Sequence, residues 1–327
     1  MRVAELCPVI LAVFLAAAGT VQVATADADQ SETPPQAYSL LAGNYQLPNR
    51  DVLGIDLFPG DDGKPALLYS DYASGVVRRL FPIAVDRFGM GPGFGIASPI
   101  ELTIEFIRDD QGAVTAITLQ RQGQRERLAR RLAIASEEVT FKNGDVTFAG
   151  TLLTPSTPGP HPAIVLLHGS GRLTRYSFGP YPHFFTSLGL AVLVYDKRAS
   201  GASTGTYSPR TMYYPEVLLQ DAVEAVRFLQ AQDNIDPKRI GLWGTSEGGM
   251  LTTQVAARTK GIAFVINSSG FMMPLWEQVL YNIEAQLRAD GFSRNDVTDA
   301  VNFEKLALKS DVAKPKYYLV GRLQLMP

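Results

Sequence analysis

The chain is poor in cysteine, in histidine and in long apolar runs. Its 327 residues hold one cysteine and three histidines. Cys7 lies within the first ten residues, inside a segment that reads as a leader, so the chain beyond it is free of thiols. This excludes disulfides, thiolate metal sites and a cysteine nucleophile from that remainder. Thirty basic against thirty-two acidic side chains give a net charge of −2, which offers no basic field for nucleic acid. The densest basic run, Arg125, Arg127, Arg130 and Arg131, is interleaved with Glu126 and apolar residues and reads as a solvated strand face. No later run reaches the roughly 20 apolar residues of a membrane-spanning helix. No metal or cofactor signature is present. The glycine-rich stretch from Gly89 to Gly95 lacks a following helix, so it is not a phosphate cradle.

What is present begins with a targeting pattern. Arg2 supplies a positive start, residues 8–18 an apolar core too short to span a bilayer, and Ala24-Thr25-Ala26 a small-x-small cleavage site, with Ala26-Asp27-Ala28 as an alternative. Residues 1–26 are therefore expected to be a signal peptide, the competing reading being an uncleaved N-terminal anchor. A cysteine-free exported chain fits a periplasmic or secreted location. Residues 27–36, with Pro34-Pro35, read as a linker. Over residues 37–133 short alternating segments (Ile55 and Leu57; Ile100, Leu102, Ile104 and Phe106) are punctuated by Asp62-Gly63, Gln111-Gly112 and Gln122-Gly123. This pattern predicts a small antiparallel β-domain, lipocalin-like or barrel-like. A hairpin around Asn143-Gly144 follows.

From residue 137 the pattern changes. Ala163-Ile164-Val165-Leu166-Leu167 is a continuous apolar run, as expected of a strand buried on both faces, and it ends in His168-Gly169-Ser170-Gly171. Ala191-Val192-Leu193-Val194-Tyr195 is a second run, followed by Asp196-Lys197-Arg198 and Gly201-Ala202-Ser203-Thr204-Gly205; residues 261–267 are a third. Between them, Leu219, Ala222, Val223, Val226 and Leu229 recur at helical spacing over residues 216–232. Strands alternating with helices predict an α/β fold with a mostly parallel sheet. Within it, Gly244-Thr245-Ser246-Glu247-Gly248 stands between a short apolar strand and a helix. Such a turn projects a serine hydroxyl above the sheet, and its flanking glycines avoid a clash.

Taken together, the H-G-x-G loop, the Y-D-x-R loop with its glycines and the G-x-S-x-G-G elbow resemble the α/β-hydrolase superfamily. The nearest likeness is to its prolyl-oligopeptidase-like, serine-aminopeptidase-like and dienelactone-hydrolase-like branches, over about residues 137–310. Ala199 and Ser200 before Gly201 are a mild departure. The resemblance implies a serine hydrolase without a cofactor, acting on a small-molecule ester, thioester or peptide acyl bond. It implies Ser246 as nucleophile and an oxyanion hole from the N–H of Glu247 with that of Ser170 or Gly171. Gly244, Gly248 and Gly249 would let the elbow pack, His168 and Gly169 would shape the loop, and Asp196 and Arg198 would brace it or form a surface salt bridge. Two helices, residues 275–289 and from Ser293 with a capping-box-like Asp296, would be a lid over about 271–310 bearing Phe271, Met272 and Trp276, or else ordinary packing helices.

The chemistry then meets a gap. A serine needs a neighbouring base, and in this superfamily the order is serine, acid, histidine. No histidine follows His183 in this sequence. Lys316-Tyr317-Tyr318-Leu319-Val320-Gly321 reads as the start of a further strand. A complete member would need roughly 100–150 further residues. The expectation is a truncated hydrolase that is inactive as written, or a non-catalytic binding protein or degraded gene product that keeps a pocket.

Overall fold

The computed structural model describes residues 36–59, 65–208 and 215–309. The leader, the linker up to residue 35, the Asp62-Gly63 turn and the strand expected at 316–321 lie outside the described residues. Gln36, assigned above to the linker, instead opens a short helix, α1 (Gln36–Leu41). By their packing the described residues fall into two compact units. One, built from described residues within 36–207 and 216–270, carries both sheets; the other contains residues 271–309.

The N-terminal β-region is a closed antiparallel barrel of eight strands: β1 (Gly43–Gln46), β2 (Val52–Pro59), β3 (Pro65–Asp71), β4 (Val76–Ala84), β5 (Arg87–Met90), β6 (Leu102–Arg108), β7 (Val114–Arg121) and β8 (Arg127–Arg131). β1 closes it against β8 through Tyr45 opposite Arg131. The alternation seen in the sequence sets its inside. Tyr45, Leu53, Ile55, Leu102, Ile104 and Phe106 are buried in a single apolar cluster, whereas Ile100 is exposed. Side chains fill this interior, as in small barrels generally, so it is a packed core. Of the basic run, Arg125, Arg127 and Arg130 are exposed, as expected of a solvated face, and Arg131 is the exception. Arg131 is half-buried, donates to the carbonyls of Leu40 and Ala42, and sits 6.0 Å from the Tyr45 ring centroid.

The second sheet has the order β14-β13-β11-β12-β10-β9. β9 (Ile134–Asn143) and β10 (Val146–Pro155) form the expected hairpin, and β10 pairs antiparallel with β12 (Ala191–Tyr195). β11 (His161–Leu167) lies parallel between β12 and β13 (Ile235–Thr245), and β14 (Ile262–Ser268) pairs parallel outside β13. The helices packed on this sheet are α2 (Tyr181–Ser187), α3 (Glu216–Gln230) and α4 (Glu247–Arg258). Ile164, Leu166, Val192, Val194 and Trp243 pack with Phe178 and Phe185 on one side. Beginning at the central β11, the chain crosses to β12 on one side and later reaches β13 on the other. The carboxyl ends of β11 and β13 therefore open a crevice where the strand order reverses, the usual ligand position in an open α/β sheet.

The third apolar run does not behave like the first two. β14 is the edge strand among the described residues, and Phe264 and Ile266 are exposed rather than buried on both faces. In the other unit, α5 (Leu275–Ala289) and α6 (Arg294–Lys309) pack on each other through Val279, Ile283, Leu287 and Val297, with Phe271 against that cluster. Met272 and Trp276 are exposed. The Ser293 hydroxyl caps α6, accepting the Asp296 N–H at 3.3 Å.

Candidate active site

The elbow forms because β13 must turn abruptly into α4. Ser246 takes φ 53°, ψ −117°, a conformation rare for a residue with a side chain, and it is tied down on both sides. Its N–H donates to Ser268 O at 3.0 Å and its carbonyl accepts from Met250 N–H at 3.1 Å. The glycines around it are sites of close approach. A methyl on Gly244 would strike the backbone of Gly248 and Gly249. On Gly248 it would strike the carbonyl oxygens of Leu167 and His168, and on Gly249 it would lie 2.9 Å from the Gly270 Cα. Leu167 pairs directly with Gly244. Gly169 faces the serine, and a methyl there would sit 3.7 Å from the Ser246 Cβ. The loop after β11 and the elbow after β13 are thus brought together, as the sequence motifs require.

Of the two loop residues expected to offer an N–H beside that of Glu247, Gly171 donates its N–H to the Tyr207 hydroxyl at 3.1 Å. Asp196 and Arg198 are both buried and do not pair with each other, so the surface salt bridge does not exist. The Asp196 carboxylate receives Arg175 Nε and Nη2 at 3.1 and 3.0 Å, and the N–H groups of Arg175 and Ala202 at 2.8 and 2.9 Å. Burial opposes its charge, but those donors, Arg175 first, hold its pKa below the usual carboxylate range. Arg198 grips Asp221 of α3 at 2.6 and 2.7 Å, and Asn143 adds a third bond to that carboxylate. These are braces of the loops beneath the site.

Lys197, between them, has the more informative position. Its ammonium donates to Glu247 Oε2 at 2.8 Å and to Gly169 O at 2.9 Å, and lies 4.7 Å from the Tyr207 ring centroid. Lys197 is 4% and Glu247 1% exposed. Burial pushes the lysine pKa down and the glutamate pKa up, each opposed by attraction to the other. Sequence reasoning used only the Glu247 backbone and passed over Lys197, Tyr207, Arg175 and Asp221. One signal existed: Asp221 falls on the apolar stripe of α3 between Leu218 and Ala225, where a charge needs a buried partner.

The rings of His168 and His183 are held by other partners, and His161 stands at the far end of its strand. His161 opens β11, six residues and about 20 Å of strand from the elbow. His183 on α2 bonds Asp56 Oδ1 of the barrel at 2.6 Å. His168 is buried, bonds Thr174 O through Nε2 at 3.1 Å and packs on Phe178 at 4.3 Å between ring centroids. Burial, then the Lys197 charge, push its pKa down to about 3, so it is a neutral, locked ring. The unfolded chain takes up this proton near pH 6.5 while the folded one does not, so stability falls as pH drops from 6.5 toward 3. Between pH 6.5 and 5 the loss is about 2 kcal/mol. Urea unfolding at these two pH values should show it, and His168→Asn should flatten the difference; an equal slope in the variant would refute the assignment. A cavity of about 660 Å³ opens elsewhere in this unit, lined by Asp56, His183, Arg131 and Arg175, and no residue of the elbow borders it.

The chain is similar in sequence to several known proteins. The model of the prolyl oligopeptidase family matches residues 176–294. The quorum-quenching protein AidA of Acinetobacter baumannii is 31% identical over 159 residues, 49% of this chain and 52% of its own. Esterase EstD of Thermotoga maritima is 30% identical over 235 residues, 66% of this chain and 55% of its own. Thiohydrolase aneE of Aspergillus aculeatus is 35% identical over 106 residues, 32% of this chain and 33% of its own. The chain thus spans about half the length of the first two relatives and a third of the last. A solved dienelactone hydrolase-like promiscuous phosphotriesterase from metagenomic libraries overlaps 43% of this chain and 62% of its own at 19% identity, with a TM-score of 0.38. With a parallel sheet crossing at β11, a serine elbow after β13 and these relatives, the chain belongs to the α/β-hydrolase superfamily.

Proposed function

We propose that the protein is an exported serine hydrolase that cleaves a carboxylic ester, thioester or peptide acyl bond through an acyl-Ser246 intermediate. The observation that carries this is the backbone of Ser246, held at positive φ beside the loop of Gly169 and Ser170. The names esterase and thiohydrolase among the relatives favour ester and thioester substrates. In the reaction, Oγ attacks the acyl carbon, the bond to the leaving alcohol or thiol breaks, and the Oγ proton passes to the leaving group. The oxyanion is met by the N–H groups of Glu247 and Ser170, each such donor contributing a few kcal/mol in a complete site. Water then releases the acid.

Both steps need a proton carrier for an ordinary substrate, and the His168 ring is tied to Thr174 O, that of His183 to Asp56, while His161 opens the far end of β11. A p-nitrophenolate leaving group departs without a proton, whereas the water that releases the acid needs a base, so with such an ester the acyl group is expected to accumulate on Ser246. Incubation with a p-nitrophenyl ester followed by peptide mass mapping should find the acyl group on the peptide containing Ser246, and not in Ser246→Ala. Acylation spread over surface lysines and equal in both proteins would remove the nucleophile from this assignment. The vestigial-binder alternative is favoured by the same histidine positions, and it predicts no adduct at all.

Export rests on Arg2, the apolar core of residues 8–18 and Ala24-Thr25-Ala26. Protein recovered from the periplasm of a bacterial host should begin at Asp27 or Asp29 by intact mass; an intact Met1 there would contradict a cleaved leader.

A further inference from the structure

We propose that Lys197 is the positioning residue of the oxyanion hole, one ammonium that aligns both donors, Ser170 N–H and Glu247 N–H; this rests on Ser246 being the nucleophile. The geometry is direct. The carbonyl of Gly169 and the N–H of Ser170 belong to one planar trans peptide and point in opposite directions. Lys197 Nζ holds that carbonyl at 2.9 Å, so it fixes the Ser170 N–H on the opposite side of the loop. The same ammonium holds the carboxylate of Glu247 at 2.8 Å, and Glu247, the first residue of α4, supplies the other donor.

Two further contacts secure the cation. The Tyr207 ring covers it at 4.7 Å between Nζ and the ring centroid, a contact that strengthens when desolvated. The Tyr207 hydroxyl takes the Gly171 N–H at 3.1 Å, so the next peptide of the loop is anchored by the residue that covers the lysine. Loop and elbow meet at this one side chain, although Gly169 lies 28 and Glu247 50 residues from Lys197 in the chain. Replacing the ammonium releases the Gly169 carbonyl and leaves the Glu247 carboxylate buried without its cation, so both donors lose their reference point. An arginine can restore both bonds through two of its N–H groups.

The test compares wild type, Lys197→Met, Lys197→Arg, the charge-neutral pair Lys197→Met with Glu247→Gln, and Ser246→Ala. The first readout is Ser246-dependent hydrolysis of p-nitrophenyl acetate with imidazole supplied as base. Lys197→Met and the neutral pair should lower the rate about tenfold, down to that of Ser246→Ala, since a lost oxyanion donor is enough to remove the whole Ser246-dependent part, and Lys197→Arg should recover most of it. The second readout needs no turnover. In 15N–1H correlation spectra the Ser170 and Glu247 amides should move in Lys197→Met and return in Lys197→Arg, while barrel amides stay in place. If Lys197→Met alone fails to fold, the neutral pair carries both readouts. An unchanged rate, or unmoved Ser170 and Glu247 amides, overturns the proposal. If wild type and Ser246→Ala hydrolyse equally while the two amides do respond to Lys197, the nucleophile assignment fails and the positioning by Lys197 stands.

Discussion

Replacing Gly248 by alanine is expected to cost about 3 kcal/mol or more of stability, at or beyond the upper end for overpacking, and to abolish acylation of Ser246. The added methyl would be driven into the backbone carbonyls of Leu167 and His168. Neither is the end of a flexible side chain, so relief requires the β11 loop and the first turn of α4 to part. Those two segments carry the Ser170 and Glu247 N–H groups, so the same movement that relieves the clash separates the two donors of the proposed oxyanion hole. Gly144 is the matched control. It sits in the β9–β10 turn at φ 56°, where a methyl meets nothing within 4 Å. Alanine there pays only the left-handed backbone cost of about 1–2 kcal/mol and should leave Ser246 chemistry intact. Urea midpoints and adduct formation for the two variants measure the difference. Equal losses of stability with adduct retained in both would mean that the elbow and the loop are not in close contact.

The α/β core was legible because its signals are local. Ala163 to Leu167 and Ala191 to Tyr195 are uninterrupted apolar runs, and they fold as fully buried strands because helices cover both faces of the sheet centre. Residues 261–267 carry the same kind of run, yet Phe264 and Ile266 are exposed. A run of this composition reports apolarity and β-preference, and position in the sheet is decided by which strands pair beside it. Ser246, Gly244 and Gly248 were legible because a single tight turn requires them in fixed order.

The rest of the site could not be read the same way. Lys197 meets Glu247 across 50 residues and Gly169 across 28, and Arg175 meets Asp196 across 21. No spacing rule links such positions; parallel strand order alone brings them together. The notion that Asp196 and Arg198 form one surface pair failed for that reason. They flank Lys197 at the end of β12, where one turns to the Arg175 segment and the other to α3. The role of Gly171 was equally hidden, since only the fold shows Tyr207 occupying its N–H.

In the proposed reading Ser246 stands in a built oxyanion site while no histidine of this chain serves it as base. A positioned general base contributes about 10²–10⁴-fold, and without one a serine hydroxyl is a poor nucleophile at neutral pH. In plain buffer, wild type and Ser246→Ala should therefore hydrolyse p-nitrophenyl acetate at indistinguishable steady rates. Imidazole added to the solution can take the Oγ proton in place of the side chain. The measurement is the steady-state rate of both proteins against imidazole concentration, corrected for the reaction of imidazole with the ester alone. Wild type should rise about tenfold, a part of what a positioned base supplies, while Ser246→Ala stays flat. Two results would contradict the claim: full Ser246-dependent turnover without imidazole, which would place a working base inside this chain, or an identical imidazole response in the two proteins, which would remove Ser246 from the chemistry.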